Sequence, residues 1–224
     1  MKAYGQFCSI AKALEVVGER WTPLILRELV SGSSRFSEIQ NGVPRISPSL
    51  LTARLKHLEK AGVIIRNAET RGYELTQSGW ELKPLLETLG VWGNRWVRGQ
   101  LSAEDRDPDL LMWDMRRRIN LDKLPHGQTC ICFEFTDMPE NKSFYWLVCS
   151  ASGVELCVSS PDYEVDLYVT TDVSTLTRVW NGDTPLPARI DDGSVDLHGT
   201  RALRNAFPSW LQLNLFAGVV SAAR

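Results

Sequence analysis

Arg45-Ile-Ser-Pro-Ser-Leu-Leu-Thr-Ala-Arg-Leu-Lys-His-Leu-Glu-Lys-Ala-Gly62 reads as a helix with both ends marked. Ser47 is placed to accept hydrogen bonds from the free amides of the first turn. Pro48 follows at the first helical position, where its missing N–H costs nothing. Gly62, after Ala61, supplies the permissive residue that ends helices. Leu51, Leu55 and Leu58 recur at i, i+4, i+7 and make one buried stripe. The opposite side carries Ser49, Thr52, Ala53, Lys56 and Lys60. Small side chains, hydroxyls and ammonium groups, with no carboxylate near the helix start, suit a nucleic-acid groove.

The flanking segments give this helix a setting. Phe7–Val17 is an amphipathic helix with Ile10, Leu14 and Val17 on one side, and Gly18 stops it. Thr22-Pro23 repeats the cap-plus-proline start of a short, mostly buried helix that ends at Ser31-Gly32. Trp21, between them, reads as a core plug. Ser34 is expected to cap a helix over Arg35–Gln40, with Asn41-Gly42 and Val43-Pro44 as the turn before Ser47. Two helices joined by a short Gly-containing turn, the second with a polar outer face, form a helix-turn-helix pattern. After Gly62 the period drops to 2. Residues 63–66 and 72–76 are expected strands of a hairpin, with Arg66 and Arg71 at or near its tip, where a wing would meet phosphates. One further helix is expected from the Thr76 cap to about Val97. Its Leu82, Leu85, Leu89, Trp92 and Trp96 are spaced 3, 4, 3, 4, an a/d seam of about two heptads. Pro84 would disturb its first part. With Ile10 and Leu14 of the first helix, this seam is the expected homodimer interface, as the symmetry of operator binding favours. Packing onto its own chain is the other reading.

These residues resemble a known family. Cys8, Ala13–Leu29, Arg35–Ile39, Ile46–Gly62 and Tyr73–Thr76 look like the HxlR-type winged-helix regulators, in unbroken order over about residues 5–97. The resemblance implies a dimeric bacterial transcription factor, more often a repressor, on a roughly two-fold operator in double-stranded DNA. The 47–61 helix would enter the major groove and the 66–72 wing would lie on flanking backbone or in the minor groove. On that footing Arg35, Arg45, Arg66 and Arg71 position the protein on phosphates, while Ser47, Ser49, Thr52, Ala53 and Lys56 face the groove. In some family members a cysteine matching Cys8 senses oxidants or electrophiles. Its place at a helix start favours the thiolate, and the alternative is a small buried residue at a dimer seam.

The second half has a different composition. Residues 1–100 hold 14 Lys/Arg against 9 Glu, a balance of +5, whereas 101–224 hold 11 against 18, a balance of −7. A polyanion partner therefore suits the first half and not the second. Residues 99–109 are polar with Gly and Pro and read as a linker between domains at 1–98 and 110–224. A helix over 110–119 follows, and its Arg116-Arg117-Arg118 reads as a solvated or ion-paired face. Four strands (129–136, 144–149, 154–158, 165–170), a helix capped by Asp172, a short helix at 186–190, a strand at 194–198 and a helix at 200–211 complete it. The fold class is thus α+β: a winged helix-turn-helix domain, then an antiparallel sheet covered by late helices. Asp166–Leu176, Trp180–Asp183, Gly193–Leu203 and Ala206–Leu211 resemble the sterol-carrier-protein fold, over about residues 107–212. That resemblance implies a small hydrophobic effector or an assembly role. Phe133, Phe135, Tyr145, Trp146, Trp180, Phe207 and Trp210 are the aromatic candidates for a cavity, each also a natural core residue.

Other chemistry finds little support. Hydrophobic content of 43% and charge of 23% are those of an ordinary globular protein. The N-terminus lacks a signal pattern and no apolar run reaches membrane-span length, so a cytoplasmic protein without membrane partners is expected. Five cysteines in that compartment read as thiols. They form no C-x-x-C pair and cluster with no histidine, so no metal is expected. His57, His126 and His198 show no triad spacing, and there is no phosphate loop, so neither catalysis nor a cofactor is expected. A lipid carrier or scaffold that uses the winged helix only to dimerise is the alternative reading.

Overall fold

The computed structural model describes residues 3–97, 106–220 and 222. The chain divides into two compact units, Met1–Gly93 and Asn94–Arg224. Most of the expected linker, residues 99–105, lies outside the described residues.

The first unit begins with α1 (Ser9–Val17), two residues later than expected, with Cys8 as its N-cap. In α2 (Thr22–Val30), Pro23 lies in the first turn, and Trp21 caps it in the left-handed region, φ 78°. α3 spans Phe36–Gly42. Its start is not secured by the Ser34 hydroxyl as expected. Glu38 reaches back instead, accepting from the amides of Ser34 (2.8 Å) and Arg35 (3.0 Å). α4 (Pro48–Lys60) has the predicted limits: Leu50 N–H donates to Ser47 Oγ at 3.3 Å, and Gly62 follows with φ 71°. Leu51, Leu55 and Leu58 are fully buried, in one cluster with Ile25, Leu26, Leu29, Ile39, Ile46 and Ile64. β1 (Ile64–Arg66) and β2 (Tyr73–Leu75) pair antiparallel with Arg66 opposite Tyr73.

The long helix expected after Thr76 is two helices, α5 (Gln77–Trp80) and α6 (Lys83–Trp96). Pro84 explains the break. Its ring would clash with the carbonyl four residues back in a continuous helix, and it is tolerated in a first turn. Leu82 therefore falls in the intervening turn and packs on the first unit's own core.

In the second unit, α7 (Pro108–Arg116) starts two residues earlier than expected, because Asp107 Oδ1 caps the Leu110 amide at 3.2 Å. The sheet comprises β3 (Thr129–Phe135), β4 (Phe144–Ser150), β5 (Gly153–Cys157), β6 (Leu167–Thr171) and β7 (Val195–Gly199), in the order β5-β4-β3-β6-β7. It is mixed rather than antiparallel, since β3 and β6 run parallel. The two antiparallel steps of β3-β4-β5 leave the chain at the end of the sheet where β3 also finishes. The segment 158–166 then returns along the sheet to start β6 beside β3. α8 (Val173–Trp180), capped by Asp172, and α9 (Leu186–Asp191) lead into β7. The last expected helix shortens to α10 (Arg201–Ala206) and a 3-10 turn, Phe207–Ser209, because Pro208 cannot continue it. Ile131, Phe133, Phe135, Tyr145, Leu147, Leu167 and Val169 bury one sheet face with Leu176, Val179, Phe207 and Trp210.

Candidate nucleic-acid interface

The outer face of α4 is built from its buried face. With Leu51, Leu55 and Leu58 at 0% exposure, helical geometry turns Ser49, Ala53 and Lys56 outward, and all three are exposed. Thr52 is half-buried, and its hydroxyl donates to Pro48 O at 2.8 Å. Thr52 therefore offers a methyl group and an acceptor, with its proton already used. Ser47 Oγ lies 3.2 Å from Ser49 Oγ, so the cap residue and the first outward hydroxyl share one local network. Arg35, at the start of α3, and Arg45, just before α4, are both exposed.

Three polar ties hold α4 and the α2–α3 scaffold it packs on. Arg54 Nη2 pairs with Glu19, and Arg54 Nε donates to Arg20 O at 3.3 Å, binding α4 to the α1–α2 turn. Gln40 Nε2 donates to Ile46 O at 2.8 Å, closing the turn between α3 and α4. Arg27 holds the buried Glu28 carboxylate at 2.9 Å and Gly42 O at 2.7 Å. None of these was singled out from sequence. Arg54 borders the leucine stripe and Glu28 interrupts an apolar run, and a charge in either place was the available signal.

The hairpin is organised by Asn67. Its Oδ1 accepts from the amides of Glu69 (2.8 Å) and Thr70 (3.0 Å), and its Nδ2 donates to Glu74 Oε1 at 2.6 Å. This Asx-type turn holds Arg71 in the left-handed region at φ 56°. Tyr73 N–H donates to Ser34 O at 2.7 Å, tying the hairpin to the start of α3. Arg66 and Arg71 are exposed, with the Arg66 guanidinium 5.9 Å from the Tyr73 ring centroid.

A buried helical core that presents α4 outward, followed by a two-stranded hairpin with exposed arginines, defines a winged helix-turn-helix domain. The family model described as HxlR-like helix-turn-helix matches residues 16–100. An uncharacterised HTH-type transcriptional regulator of Bacillus subtilis, YvaP, is 40% identical over 91 residues, 38% of this chain and 84% of that protein. One from Methanothermobacter thermautotrophicus is 33% identical over 106 residues, 45% of this chain and 81% of that protein. The chain belongs to the HxlR-like helix-turn-helix family, whose members are transcriptional regulators and not enzymes. Among solved structures, the quinone-bound YodB of B. subtilis is 32% identical, with a TM-score of 0.36 over 39% of this chain and 98% of that chain.

The remaining predicted residues are placed as follows. Ile10 and Leu14 on α1, and Leu85, Leu89, Trp92 and Trp96 on α6, are exposed, between 42% and 71%. Cys8 is exposed, whereas Cys130, Cys132 and Cys149 are buried. Burial pushes the Cys132 and Cys149 thiols up to about 12, which leaves them protonated and unreactive at neutral pH. The candidate cavity aromatics separate. Phe133, Phe135, Tyr145, Trp180, Phe207 and Trp210 sit in the core, with Phe133–Phe207, Phe135–Tyr145 and Phe207–Trp210 centroids 6.3, 5.7 and 5.8 Å apart. Trp146 does not join them. It pairs with Cys132 and Cys157, so it points to the other sheet face, where it stacks on Phe144. Among the described residues no His/Cys/Asp/Glu group could hold a metal, and no helix is long and apolar enough to cross a membrane.

Proposed function

We propose that the chain is a homodimeric DNA-binding transcriptional regulator, acting as a repressor, whose α4 reads the major groove and whose β1–β2 hairpin rests on flanking backbone. The observation that carries this reading is the face of α4, whose outward Ser49, Ala53 and Lys56 are flanked by exposed Arg35, Arg45, Arg66 and Arg71. Phosphate contacts from the arginines would set the register, and the small α4 face would admit base edges. Two copies would meet through the outward apolar residues of α1 and α6, which otherwise leave four large side chains of α6 in water. The second unit is read as a sterol-carrier-like module that senses a small hydrophobic effector, and Cys8 as the accessible thiol for an oxidant or electrophile.

The test is fluorescence anisotropy of duplex DNA from upstream of the protein's own gene, titrated at several salt concentrations. Lys56→Ala is expected to cost about 1–3 kcal/mol on the cognate sequence and to relax its preference. Arg71→Ala should weaken cognate and non-cognate DNA alike and reduce the salt slope by about 1. Unchanged affinity in both variants would show that the reading face lies elsewhere.

A further inference from the structure

The sheet of the second unit ends in two different edges, β5 and β7. An edge strand carries a row of N–H and C=O groups without a ladder partner, and native chains blunt such rows with lysine, proline, a bulge or a covering element. β5 is protected twice. Arg116 and Arg117 of α7 line one pocket with its Gly153 and Val154, so the end of α7 lies against that edge. Glu155 is the middle residue of β5, and a second copy laid antiparallel about it would set carboxylate against carboxylate.

β7 has neither protection. Val195-Asp-Leu-His-Gly199 contains no lysine and no proline, and it pairs with β6 without a bulge, from Val195 opposite Thr171 to Gly199 opposite Leu167. Among the described residues, no loop or helix hydrogen-bonds to its backbone. Its side chains are self-complementary about Leu197. Val195 and Leu197 point into the core, while Asp196 and His198 stand on the other face with side chains 61% and 74% exposed. A second β7 aligned antiparallel about Leu197 sets Asp196 opposite the partner's His198, and His198 opposite the partner's Asp196, with Cβ atoms about 4.5–5.5 Å apart. An imidazole donates a hydrogen bond to a carboxylate in either charge state. Within one strand His198 Nε2 already lies 3.0 Å from Asp196 Oδ2, so the four groups alternate acid and base. On the core face Val195 meets the partner's Gly199, which has no side chain to clash. Centring the pair on Asp196 instead would oppose two carboxylates.

We propose that β7 is a self-pairing edge, through which two copies of the chain join their five-stranded sheets into one. Five residues bury far less than the about 1,200–2,000 Å2 of a stable interface. The contact is therefore weak alone, invisible at the dilution of size exclusion, and it strengthens between copies that another face holds near each other.

Disulfide trapping of the full chain tests the register, in a Cys8→Ser, Cys157→Ser background that removes the two thiols not fully buried. Pairing about Leu197 brings position 196 of one copy and 198 of the other to a Cα separation that a disulfide spans, whereas 196 with 196, or 198 with 198, is too far apart. Asp196→Cys and His198→Cys chains, mixed and treated with a mild oxidant, should give several-fold more covalent dimer on non-reducing electrophoresis than either variant alone. Both positions are exposed, and thermal unfolding of each variant checks that it folds. Adding His198→Glu to the Asp196→Cys chain opposes two carboxylates and should lower the yield. Asp196→Lys in the His198→Cys chain should then restore it. Equal yields from the mixture and the single variants, or a yield that His198→Glu leaves unchanged, would overturn the proposal.

Discussion

Gly42→Ala is the sharpest probe of how the α2–α3 scaffold beneath α4 is held. A Cβ built on Gly42 would stand 1.9 Å from Glu28 Cδ, 2.0 Å from its Oε2 and 2.5 Å from its Oε1. Those distances are far inside van der Waals contact, so the carboxylate must move. Glu28 has no room to move cheaply, because its side chain is fully buried. It is held by Arg27 Nε (3.2 Å), Arg27 Nη2 (2.9 Å) and Ser33 Oγ (3.2 Å), while the same Nη2 donates to Gly42 O at 2.7 Å. A methyl group therefore disturbs both the ion pair and its anchor on α3. Glu28 is fully buried although Arg27 is partly exposed, so the cost of disturbing the pair lies at or below that of a fully buried one, about 3–5 kcal/mol. Relaxation of α3 by a few tenths of an ångström recovers part of it. We expect Gly42→Ala to destabilise the first unit by about 3 kcal/mol. The assay is urea unfolding of the full chain followed by far-ultraviolet circular dichroism, fitted with a separate transition for each unit. Glu28→Ala supplies the second arm of a double-mutant cycle, since removing the carboxylate makes room for the methyl. In that background Gly42→Ala should cost less than about 1 kcal/mol. Additive losses, or a single-variant cost below that level, would show that Glu28 and Gly42 are not coupled.

Asn67→Ala removes three hydrogen bonds from an exposed turn. It should destabilise the first unit by only about 1 kcal/mol yet weaken DNA binding several-fold by loosening Arg71, and an unchanged anisotropy titration would contradict this. Trp92→Glu places a carboxylate on the outward face of α6 and should convert a dimer to a monomer with little change in secondary structure. Light scattering behind size exclusion reads this directly. Cys132 and Cys149 carry raised native values of about 12, against about 8.5 unfolded. Between those limits the unfolded chain releases protons that the native chain keeps, so stability is full below about pH 8.5 and falls as pH rises, by up to about 1.4 kcal/mol per unit for each thiol. Cys149→Ala should flatten the decline in melting temperature from pH 8.5 to 10, and an equally steep decline would locate the titration elsewhere.

Much of the first unit was legible because its signals are local. Ser47, Pro48 and Gly62 mark α4 by backbone chemistry that works within one turn, and Leu51, Leu55 and Leu58 mark its inner face by spacing alone. The same locality misled where a second constraint intervened. The heptad spacing from Leu82 to Trp96 is real as a pattern, but Pro84 breaks the backbone that would carry Leu82 into it. In the second unit, Ile131, Phe133 and Phe135 alternate with Cys130, Cys132 and Glu134, a local pattern that puts the two sets on opposite faces of β3. It could not reveal that β6 pairs parallel to β3, because that depends on the path of 158–166. Nor could aromatic character separate Trp146 from Tyr145, neighbours in sequence on opposite faces of one strand. The ties at Glu28, Gln40, Arg54 and Asn67 join residues distant in sequence or act through turn geometry, and no periodicity announces them.

Those ties lie away from the outward face of α4. Arg54 acts from the flank of α4, Gln40 and Ile46 from the turn before it, and Glu28, Arg27 and Gly42 from α2 and α3. None uses Ser49, Ala53 or Lys56. The groups that fix where α4 sits are therefore separate from the groups it turns outward, and substitutions at the three outward positions leave the scaffold's buried bonds intact. Thr52 and Ser47 serve both roles, through Pro48 O and the Leu50 amide, and Ser49 joins the cap through its 3.2 Å contact with the Ser47 hydroxyl. Substitutions at 53 and 56 are thus expected to have little effect on stability, whereas changes at 47 and 52 carry a folding cost of about 1 kcal/mol.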